Sequence, residues 1–406
     1  MSQIKPRYLL MVTADKNNNK YYKQIPNGNT WMAEYGRVGS SPQTAAYPMS
    51  KWESKYKEKI RKGYVDQSEL VEDLMQVEKP KGIAKTYLEI ENKVIADVVE
   101  RLQSMARQAI SQNYTISSNK VTQAMVDEAQ KILTKLVDIE TVKTFNKYIL
   151  ELFTVIPRSM SSVSSYIASD PTDFPKIIKR EQDLLDIMRG QVVQKAIDDK
   201  QDDDFEEKEQ KTILEAIGIT FEPCDDNDIK IIKNALEENA HRFKQAWKVT
   251  NLKTQKRFDK FIESEKIIEI RFLWHGSRNE NWWSILGSGL VLRPTNAIIN
   301  GKMFGYGIYY APRAQKSIGY TSVSGSYWAN GNSKTAFMAL MEVAYGKPYN
   351  VYSFDSKYYN FDYKRLQDTC PEANSLHAHA GNMLKNDEII VYKEEQCTIK
   401  YLVEIE

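Results

Sequence analysis

Four short stretches in the C-terminal half of the 406-residue chain decide its fold: LWHGSR at 273–278, GKMFGYGIYYAP at 301–312, KSIGY at 316–320 and NDEIIVY at 386–392. Each stretch sets a histidine, a hydroxyl-bearing aromatic residue or an acid near small residues and a strand-like segment. His275, one of four histidines in the chain, precedes a Gly-Ser pair. Because glycine lets a backbone approach a flat ligand closely, the pattern indicates a binding cleft.

The overall composition is typical of a globular protein of two or three domains. Hydrophobic residues make up 42% of the chain and charged residues 27%. No apolar run reaches the roughly 18 residues that would span a membrane, and a signal-peptide pattern is absent, so we expect no membrane partner. The three cysteines are scattered and lack zinc-finger spacing. We therefore expect a reducing compartment and no metal.

The net charge of +2 conceals a basic N-terminus. Residues 1–65 contain 12 Lys and Arg against 4 Asp and Glu, whereas the remainder contains 44 against 50. This asymmetry is typical of a module that binds a polyanion such as a nucleic acid. A solvated lysine face on a small β-rich domain would give the same count, and charge alone leaves both interpretations open.

The periodicity of apolar residues predicts a multidomain α+β protein. Residues 1–80 show strand-like segments at 8–13, 20–25 and 30–35, and beyond Ser40 the pattern turns helical as far as Gly63. Residues 83–197 show apolar positions at three-and-four spacing from Leu88 onward, which predicts an all-α bundle. Residues 198–212 form an acidic linker, and residues 213–406 form an α+β domain dominated by antiparallel sheet.

Three residues in the last domain are candidates for chemistry: His275, Tyr309 and Glu388. A histidine or tyrosine at such a position is more often part of the core. Glu388, however, opens an apolar strand, where an inward-facing carboxylate is costly unless it serves a site. The residues by themselves leave glycosyl transfer, hydrolysis and recognition of a nucleoside open.

The ordered motifs HGSR, GxGIYxA, KSxxY and ExIVY resemble the catalytic domain of the poly(ADP-ribose) polymerase family. The helical segment, with LFTVIPR at 152–158 and REQDLLDIM at 180–188, is similar to the helical regulatory domain of that family. The N-terminal segment, with EYGRVG at 34–39 and KGY at 62–64, resembles its WGR module. The resemblance covers nearly the whole chain and leaves the acidic linker unmatched.

The resemblance implies a site for NAD+, used as co-substrate, with no permanently bound cofactor. Gly276 would hold the nicotinamide carboxamide through its backbone, and Ser317 would add a hydroxyl hydrogen bond. Tyr320 would stack on the nicotinamide ring, and Tyr309 would form the opposite wall.

The remaining contacts implied by the resemblance involve the two riboses. His275 would bond the adenosine ribose, with Ser277 and Asn281 nearby. Glu388 would bond the nicotinamide-ribose 2′-hydroxyl and stabilise the positive charge that develops as the glycosidic bond breaks.

The function implied is that of a DNA-break-activated ADP-ribosyltransferase in the DNA damage response, with polymer as the expected product. DNA ends or nicks would dock through Tyr35 and Arg37 and relax the helical domain, and the acceptors would be proteins, including the chain itself. Tyr35 replaces the tryptophan of the WGR signature, and Val291 replaces a basic residue of polymerising members. Transfer of single ADP-ribose units, a DNA-end scaffold without catalysis and an NAD glycohydrolase are the alternatives. The implied compartment is the nucleus of a eukaryote, or otherwise the cytoplasm.

Overall fold

The computed structural model describes residues 4–71, 87–114, 121–202, 211–293, 303–323, 333–382 and 384–406. The chain divides into two compact units, one of residues 1–85 with 107–196 and one of residues 86–106 with 197–406. The predicted domain boundaries stay predictions, and residues 203–210 of the predicted linker lie outside the described residues. Among the helices of the described residues, none is long and apolar enough to cross a membrane.

The first unit begins with a five-stranded antiparallel sheet. Its strands are β1 (Arg7–Thr13), β2 (Asn18–Asn27), β3 (Thr30–Arg37), β4 (Gln43–Pro48) and β5 (Val65–Asp66), in the order β4-β3-β2-β1-β5. Helix α1 (Trp52–Arg61) sets the Trp52 ring edge-on to Trp31, with ring centroids 5.5 Å apart. The three predicted strands and this helix are confirmed.

The helical pattern predicted directly after Ser40 is wrong over Gln43–Pro48, which forms β4. This strand lies at the edge of the sheet and pairs with β3. None of its residues is buried, so the sequence lacks the alternation of buried apolar and exposed polar residues that identifies a strand. Hydrogen bonding to β3, which the sequence does not reveal, decides the conformation.

In the described residues that follow, the α-helices are α2 (Lys93–Asn113), α3 (Gln123–Leu136), α4 (Val142–Val155) and α5 (Phe174–Asp202). The hydroxyls of Thr122 and Thr141 cap α3 and α4 by accepting backbone N–H groups of Met125 and Thr144. The predicted all-α segment is thus confirmed, and residues 198–202 of the predicted linker are the last residues of α5.

The helical pattern predicted from Leu88 onward begins too early. Asn92 Oδ1 accepts the N–H groups of Val94 and Ile95, at 3.0 and 3.3 Å, and α2 begins at Lys93. Leu88 instead forms an isolated parallel bridge with Thr212. The cap residue, rather than the apolar spacing, sets the start of the helix.

The second unit contains two sheets. The first has the order β6-β7-β14-β10-β8, with β6 (Ile219–Pro223), β7 (Phe243–Asn251), β14 (Cys397–Ile405), β10 (Ala336–Ala344) and β8 (Ile270–Gly276). The second has the order β11-β12-β13-β9, with β11 (Pro348–Val351), β12 (Ser375–Ala378), β13 (Glu388–Val391) and β9 (Ile308–Tyr310). All strand pairs are antiparallel except β11 with β12, which confirms the predicted α+β domain dominated by antiparallel sheet.

Between 211 and 406, the described residues of this unit include short helices. They are α6 (Ile213–Ile217), α7 (Asp226–Leu236), α8 (Leu252–Glu265), α9 (Trp282–Ser288), α10 (Ala314–Ile318) and α11 (Tyr363–Thr369). The two sheets meet at Trp274, whose N–H and C=O groups bond the C=O and N–H groups of Ala311 at 2.9 and 3.0 Å. This junction brings the end of β8 beside the end of β9 and the start of α10.

Candidate active site

A small cavity of about 50 Å³ lies at the junction of the two sheets and opens to solvent. Strands β8, β9 and β13 and helix α10 supply its walls. The lining residues are His275, Gly276, Tyr309, Tyr310, Ala311, Lys316, Ser317, Tyr320 and Glu388. Six residues predicted from the sequence therefore meet in one place, although the first and last of them lie more than a hundred positions apart in the chain.

Gly276 lies where the cavity wall leaves no room for a side chain. A Cβ atom at this position would lie 2.0 Å from the backbone oxygen of Ser317 and 2.9 Å from its carbonyl carbon. Both neighbours are backbone atoms, so neither moves without displacing α10. Ser317 is itself buried, and its hydroxyl donates to the carbonyl oxygen of Trp274 at 3.1 Å. Glycine is thus required at the closest approach of β8 to α10.

Glu388 faces the cavity and forms an ion pair with Lys316. The side chains of Glu388 and Lys316 are 12% and 17% exposed. A mostly buried carboxylate is costly without a partner, and the ammonium group supplies the opposite charge. Lys316 was not among the predicted site residues. Its place directly before Ser317 was visible in the KSIGY motif, but its contact with an acid 72 positions further along the chain was not.

Two tyrosines form apolar walls with fixed hydroxyls. Tyr309 donates its hydroxyl hydrogen to Gly305 O at 3.0 Å and accepts the N–H of Phe304 at 3.2 Å. Burial, and then the negative charge of Glu388, raise the pKa of both Tyr309 and Tyr320 above the ordinary tyrosine value. Both rings are therefore neutral near pH 7 and present flat faces suited to an aromatic ligand.

His275 is held in one tautomer. Its Nδ1 lies 3.3 Å from the carbonyl oxygen of Tyr309, so Nδ1 carries the hydrogen and donates it. The ring's other nitrogen, Nε2, is then an acceptor. Burial lowers the pKa of His275 to about 4, so the imidazole is neutral near pH 7. A neutral ring with an acceptor nitrogen is suited to bonding a sugar hydroxyl rather than to transferring a proton.

Ser277 and Asn281 lie just beyond the residues that line the cavity. Asn281 Nδ2 donates to Ser277 Oγ at 3.1 Å, and Asn281 is buried. The buried amide oxygen of Asn281 lacks a hydrogen-bond partner among the described residues. The two predicted residues thus contact each other and lie close to His275 in the sequence. They are not among the residues that line the cavity.

The two predicted DNA contacts lie on β3, in the first unit. The Tyr35 ring packs against Tyr22, with ring centroids 6.0 Å apart, and the Lys59 ammonium lies 5.8 Å from its centroid. Arg37 donates to the backbone oxygens of Asn17, Met160 and Ser161 at 2.9, 3.0 and 3.0 Å. Arg37 therefore ties β3 to the segment that follows α4.

The cavity combines flat neutral walls, one carboxylate and one neutral histidine. A single carboxylate suits the departure of a leaving group that is already cationic and needs no acid, as in the cleavage of an N-glycosidic bond to a pyridinium ring. Such a site can stabilise positive charge at a sugar carbon opposite the carboxylate.

Comparisons with known proteins agree with this chemistry. Residues 226–406 match the family of the poly(ADP-ribose) polymerase catalytic domain, and residues 5–71 match the WGR domain family. Protein 100L of Invertebrate iridescent virus 6, named poly(ADP-ribose) polymerase-like, is 33% identical over 186 residues, which cover 44% of this chain and 94% of the relative. Protein 101L of the same virus is 31% identical over 188 residues, which cover 45% of this chain and 76% of the relative.

A relative from maize extends the likeness to nearly the whole chain. Poly [ADP-ribose] polymerase 2 of Zea mays is 23% identical over 463 aligned positions, which cover 96% of this chain and 68% of the relative. The matched catalytic domain and its cavity define an NAD+ ADP-ribosyltransferase. The chain belongs to the poly(ADP-ribose) polymerase family.

Proposed function

We propose that this ADP-ribosyltransferase synthesises poly(ADP-ribose) on protein acceptors, itself included, and that DNA ends or nicks activate it as part of a response to DNA damage. The observation that carries the proposal is the meeting of Gly276, Ser317, Tyr320 and Glu388 in one cavity.

The nicotinamide end of NAD+ binds between the two tyrosine walls. Tyr320 stacks on the ring, and Tyr309 covers the other side. The carboxamide lies against the Gly276 backbone, which needs glycine because a Cβ there would meet Ser317 O. The Ser317 hydroxyl donates its hydrogen to Trp274 O. Its oxygen can therefore accept a hydrogen bond from an N–H of the carboxamide.

The adenosine ribose binds on the opposite side of His275. The Nε2 lone pair of the neutral ring accepts a ribose hydroxyl hydrogen, since Nδ1 is held by Tyr309 O. Ser277 and Asn281 lie nearby and give further polar groups, and the unpartnered amide oxygen of Asn281 is an acceptor that a ligand hydroxyl would satisfy.

Glu388 carries the bond-breaking step. The bond between the ribose C1′ and the nicotinamide nitrogen breaks, and its electron pair leaves with the nicotinamide, which becomes neutral. The carboxylate, bonded to the ribose 2′-hydroxyl, stabilises the positive charge that develops at the sugar. The acceptor atom then forms the new bond to C1′ and releases its proton. Lys316 is a positioning residue that holds Glu388 in the cavity before NAD+ arrives.

The N-terminal module supports the DNA-dependent part of the proposal. Residues 1–65 carry a net positive charge. Polar side chains of this module form hydrogen bonds with residues around the end of α4. Asn19 donates to Arg158 O at 3.0 Å, Gln67 donates to Thr154 Oγ1 at 3.1 Å, and Arg37 bonds Met160 O and Ser161 O. A DNA phosphate that draws Arg37 away would break bonds to the helical segment, which gives DNA binding a way to loosen that segment.

The first test is the transfer of labelled ADP-ribose by the full chain, with and without nicked duplex DNA. We expect the label on the protein to rise when nicked DNA is added and to run as a smear on a denaturing gel. A discrete band would show transfer of single units, and free labelled ADP-ribose would show a glycohydrolase. Protein without label under either condition would contradict the proposal and favour a DNA-end scaffold.

Replacing Arg37 with alanine should uncouple DNA binding from activity. The Arg37→Ala variant loses four hydrogen bonds, two to Asn17 and one each to Met160 O and Ser161 O. Because the helical segment is then loosened without DNA, the ratio of activity with DNA to activity without it should fall by about fivefold or more. Arg61→Ala is the control, because Arg61 is an exposed arginine on the same module. DNA affinity is measured beside activity, and an unchanged ratio in Arg37→Ala would show that Arg37 has no part in the coupling.

The compartment follows from the proposed partner. A DNA-activated enzyme works where DNA lies, which is the nucleus of a eukaryotic cell or the cytoplasm of a cell without one. The position of a fluorescently tagged full chain in its own cells tests this assignment.

A further inference from the structure

Away from the active-site cavity, three potential metal ligands converge at one end of β12 and β13. His377 lies on β12, His379 follows directly after it, and Asp387 directly precedes β13. The antiparallel register pairs His377 with Ile389 and Ala378 with Glu388, which brings Asp387 opposite His379. The ligand atoms of the three side chains all lie within 4.8 Å of one another.

The two imidazoles present their edges to the same carboxylate oxygen. His377 Nε2 lies 2.8 Å from Asp387 Oδ2, and His379 Nδ1 lies 3.7 Å from the same atom. The rings stack with centroids 4.0 Å apart and planes 17° from parallel, so their nitrogens point in a common direction. Two ligands at the end of β12 thus face a third that directly precedes β13.

Neighbouring side chains hold each ring by its outer nitrogen. His379 Nε2 lies 2.8 Å from Asn350 Oδ1, an acceptor, so Nε2 carries the hydrogen and Nδ1 presents its lone pair to Asp387. His377 Nδ1 lies 2.8 Å from the hydroxyl of Tyr345, which can accept from it. Bonds of this kind from the outer nitrogen to a second polar group orient histidines that bind metals.

The carboxylate is held in a matching way. Asp387 Oδ1 accepts the backbone N–H of Ala380 at 2.7 Å, which leaves Oδ2 for the two imidazoles. A lone pair on His379 Nδ1 facing an anionic oxygen is repulsive unless a positive charge lies between them. The nearby guanidinium of Arg271 is occupied elsewhere, because it stacks on the Tyr345 ring and pairs with Glu269.

We propose that His377 Nε2, His379 Nδ1 and Asp387 Oδ2 bind a divalent cation of the zinc class, with water completing the tetrahedron. Nitrogen and carboxylate ligands are the set that Zn²⁺ accepts in proteins. With bonds of about 2.0–2.1 Å, ligand atoms of a tetrahedral site lie about 3.3 Å apart. The separations of 2.8 and 3.7 Å between the imidazole nitrogens and Asp387 Oδ2 bracket this value, and the two nitrogens lie within 4.8 Å of each other, so side-chain rotations would complete the site.

The site would fix the strand pair that carries Glu388. Successive residues of a strand point to opposite faces, so Asp387 and Glu388 project to opposite sides of the sheet. The cation therefore does not enter the proposed reaction. It would cross-link the ends of β12 and β13 on the face of the sheet opposite Glu388. Zinc binding can therefore be tested independently of ADP-ribosyl transfer.

The experiment is a titration of the full chain, freed of metal with a chelator and kept in a reductant that does not bind metals, with zinc chloride alone. By calorimetry we expect about one zinc bound per chain, and a rise in the melting temperature of a few degrees that the chelator reverses. His379→Ala should lose both effects. His241→Ala, which removes an exposed histidine of the same unit, should keep both.

Two further measurements keep the result unambiguous. If His379→Ala does not fold, Asn350→Ala removes only the group that orients His379 and should weaken zinc binding by about tenfold. Cobalt(II) in place of zinc should give visible absorption without the near-ultraviolet band of thiolate ligands, since no cysteine belongs to the site. The proposal would be overturned if the unaltered chain bound no zinc or if His379→Ala bound zinc as tightly as His241→Ala. A thiolate band in the cobalt spectrum would also overturn it.

Discussion

Replacing Glu388 with glutamine should lower the rate of ADP-ribose transfer by about 100-fold or more. The amide keeps the shape of the side chain but removes the negative charge that faces the sugar as the nicotinamide departs. It also leaves the Lys316 ammonium in the cavity without its anion, which adds a positive charge where positive charge develops. Both changes raise the barrier, whereas the walls that hold the nicotinamide ring remain.

The measurement separates the chemical step from substrate binding. Release of nicotinamide and labelling of protein are followed at saturating NAD+, and NAD+ affinity is measured by calorimetry. We expect the rate to fall and the affinity to change little. Glu372→Gln serves as the control, because Glu372 is an exposed glutamate that pairs with Lys347 on the surface of the same unit. A Glu388→Gln enzyme that makes polymer at the unaltered rate would show that the carboxylate is not the catalytic group.

Replacing Gly276 with alanine should reduce kcat/KM for NAD+ on the order of 100-fold. The added methyl group would lie 2.0 Å from Ser317 O, a backbone atom, so either β8 or α10 must move. That movement shifts Ser317 and the wall it forms, and it displaces the Gly276 backbone against which the carboxamide binds. The loss should appear mainly as weaker NAD+ binding.

Gly287→Ala is the matched control for this substitution. Gly287 lies within α9 of the same unit, and a Cβ there would meet no atom within 4 Å. Alanine also favours a helix over glycine by roughly 0.5–1 kcal/mol, so this variant should keep its activity and its stability. If Gly276→Ala bound NAD+ as tightly as Gly287→Ala, the carboxamide could not lie against Gly276.

Most strands of the fold could be predicted wherever burial leaves a pattern in the sequence. The nearly continuous apolar run at 336–344 forms the central strand β10, of which all but one residue are buried. The edge strand β4 could not be predicted from the sequence, because none of its residues is buried. Its extended conformation depends on pairing with β3. The start of α2 was placed too early because the cap at Asn92 overrides the apolar residue at Leu88.

The candidate site shows the same division. Residues next to glycines in conspicuous motifs, such as His275 and Ser317, could be selected from the sequence because the motif itself is unusual. Lys316 stood in a motif as well, but its significance depends on an ion pair with Glu388. His377 and His379 were not predicted as metal ligands, because only the register of β12 and β13 brings Asp387 close to them.

The sequence by itself determined the class of this protein, because its ordered motifs resemble those of NAD+ ADP-ribosyltransferases. Glu388 on an apolar strand also indicated a carboxylate that serves a site. The tertiary structure alone decided which charges meet. It paired Lys316 with Glu388, bonded Arg37 to Met160 and Ser161, and set Asp387 before two imidazoles. The physical reason is that motifs record local backbone requirements, whereas ion pairs and ligand sets depend on strand register and sheet packing between distant segments.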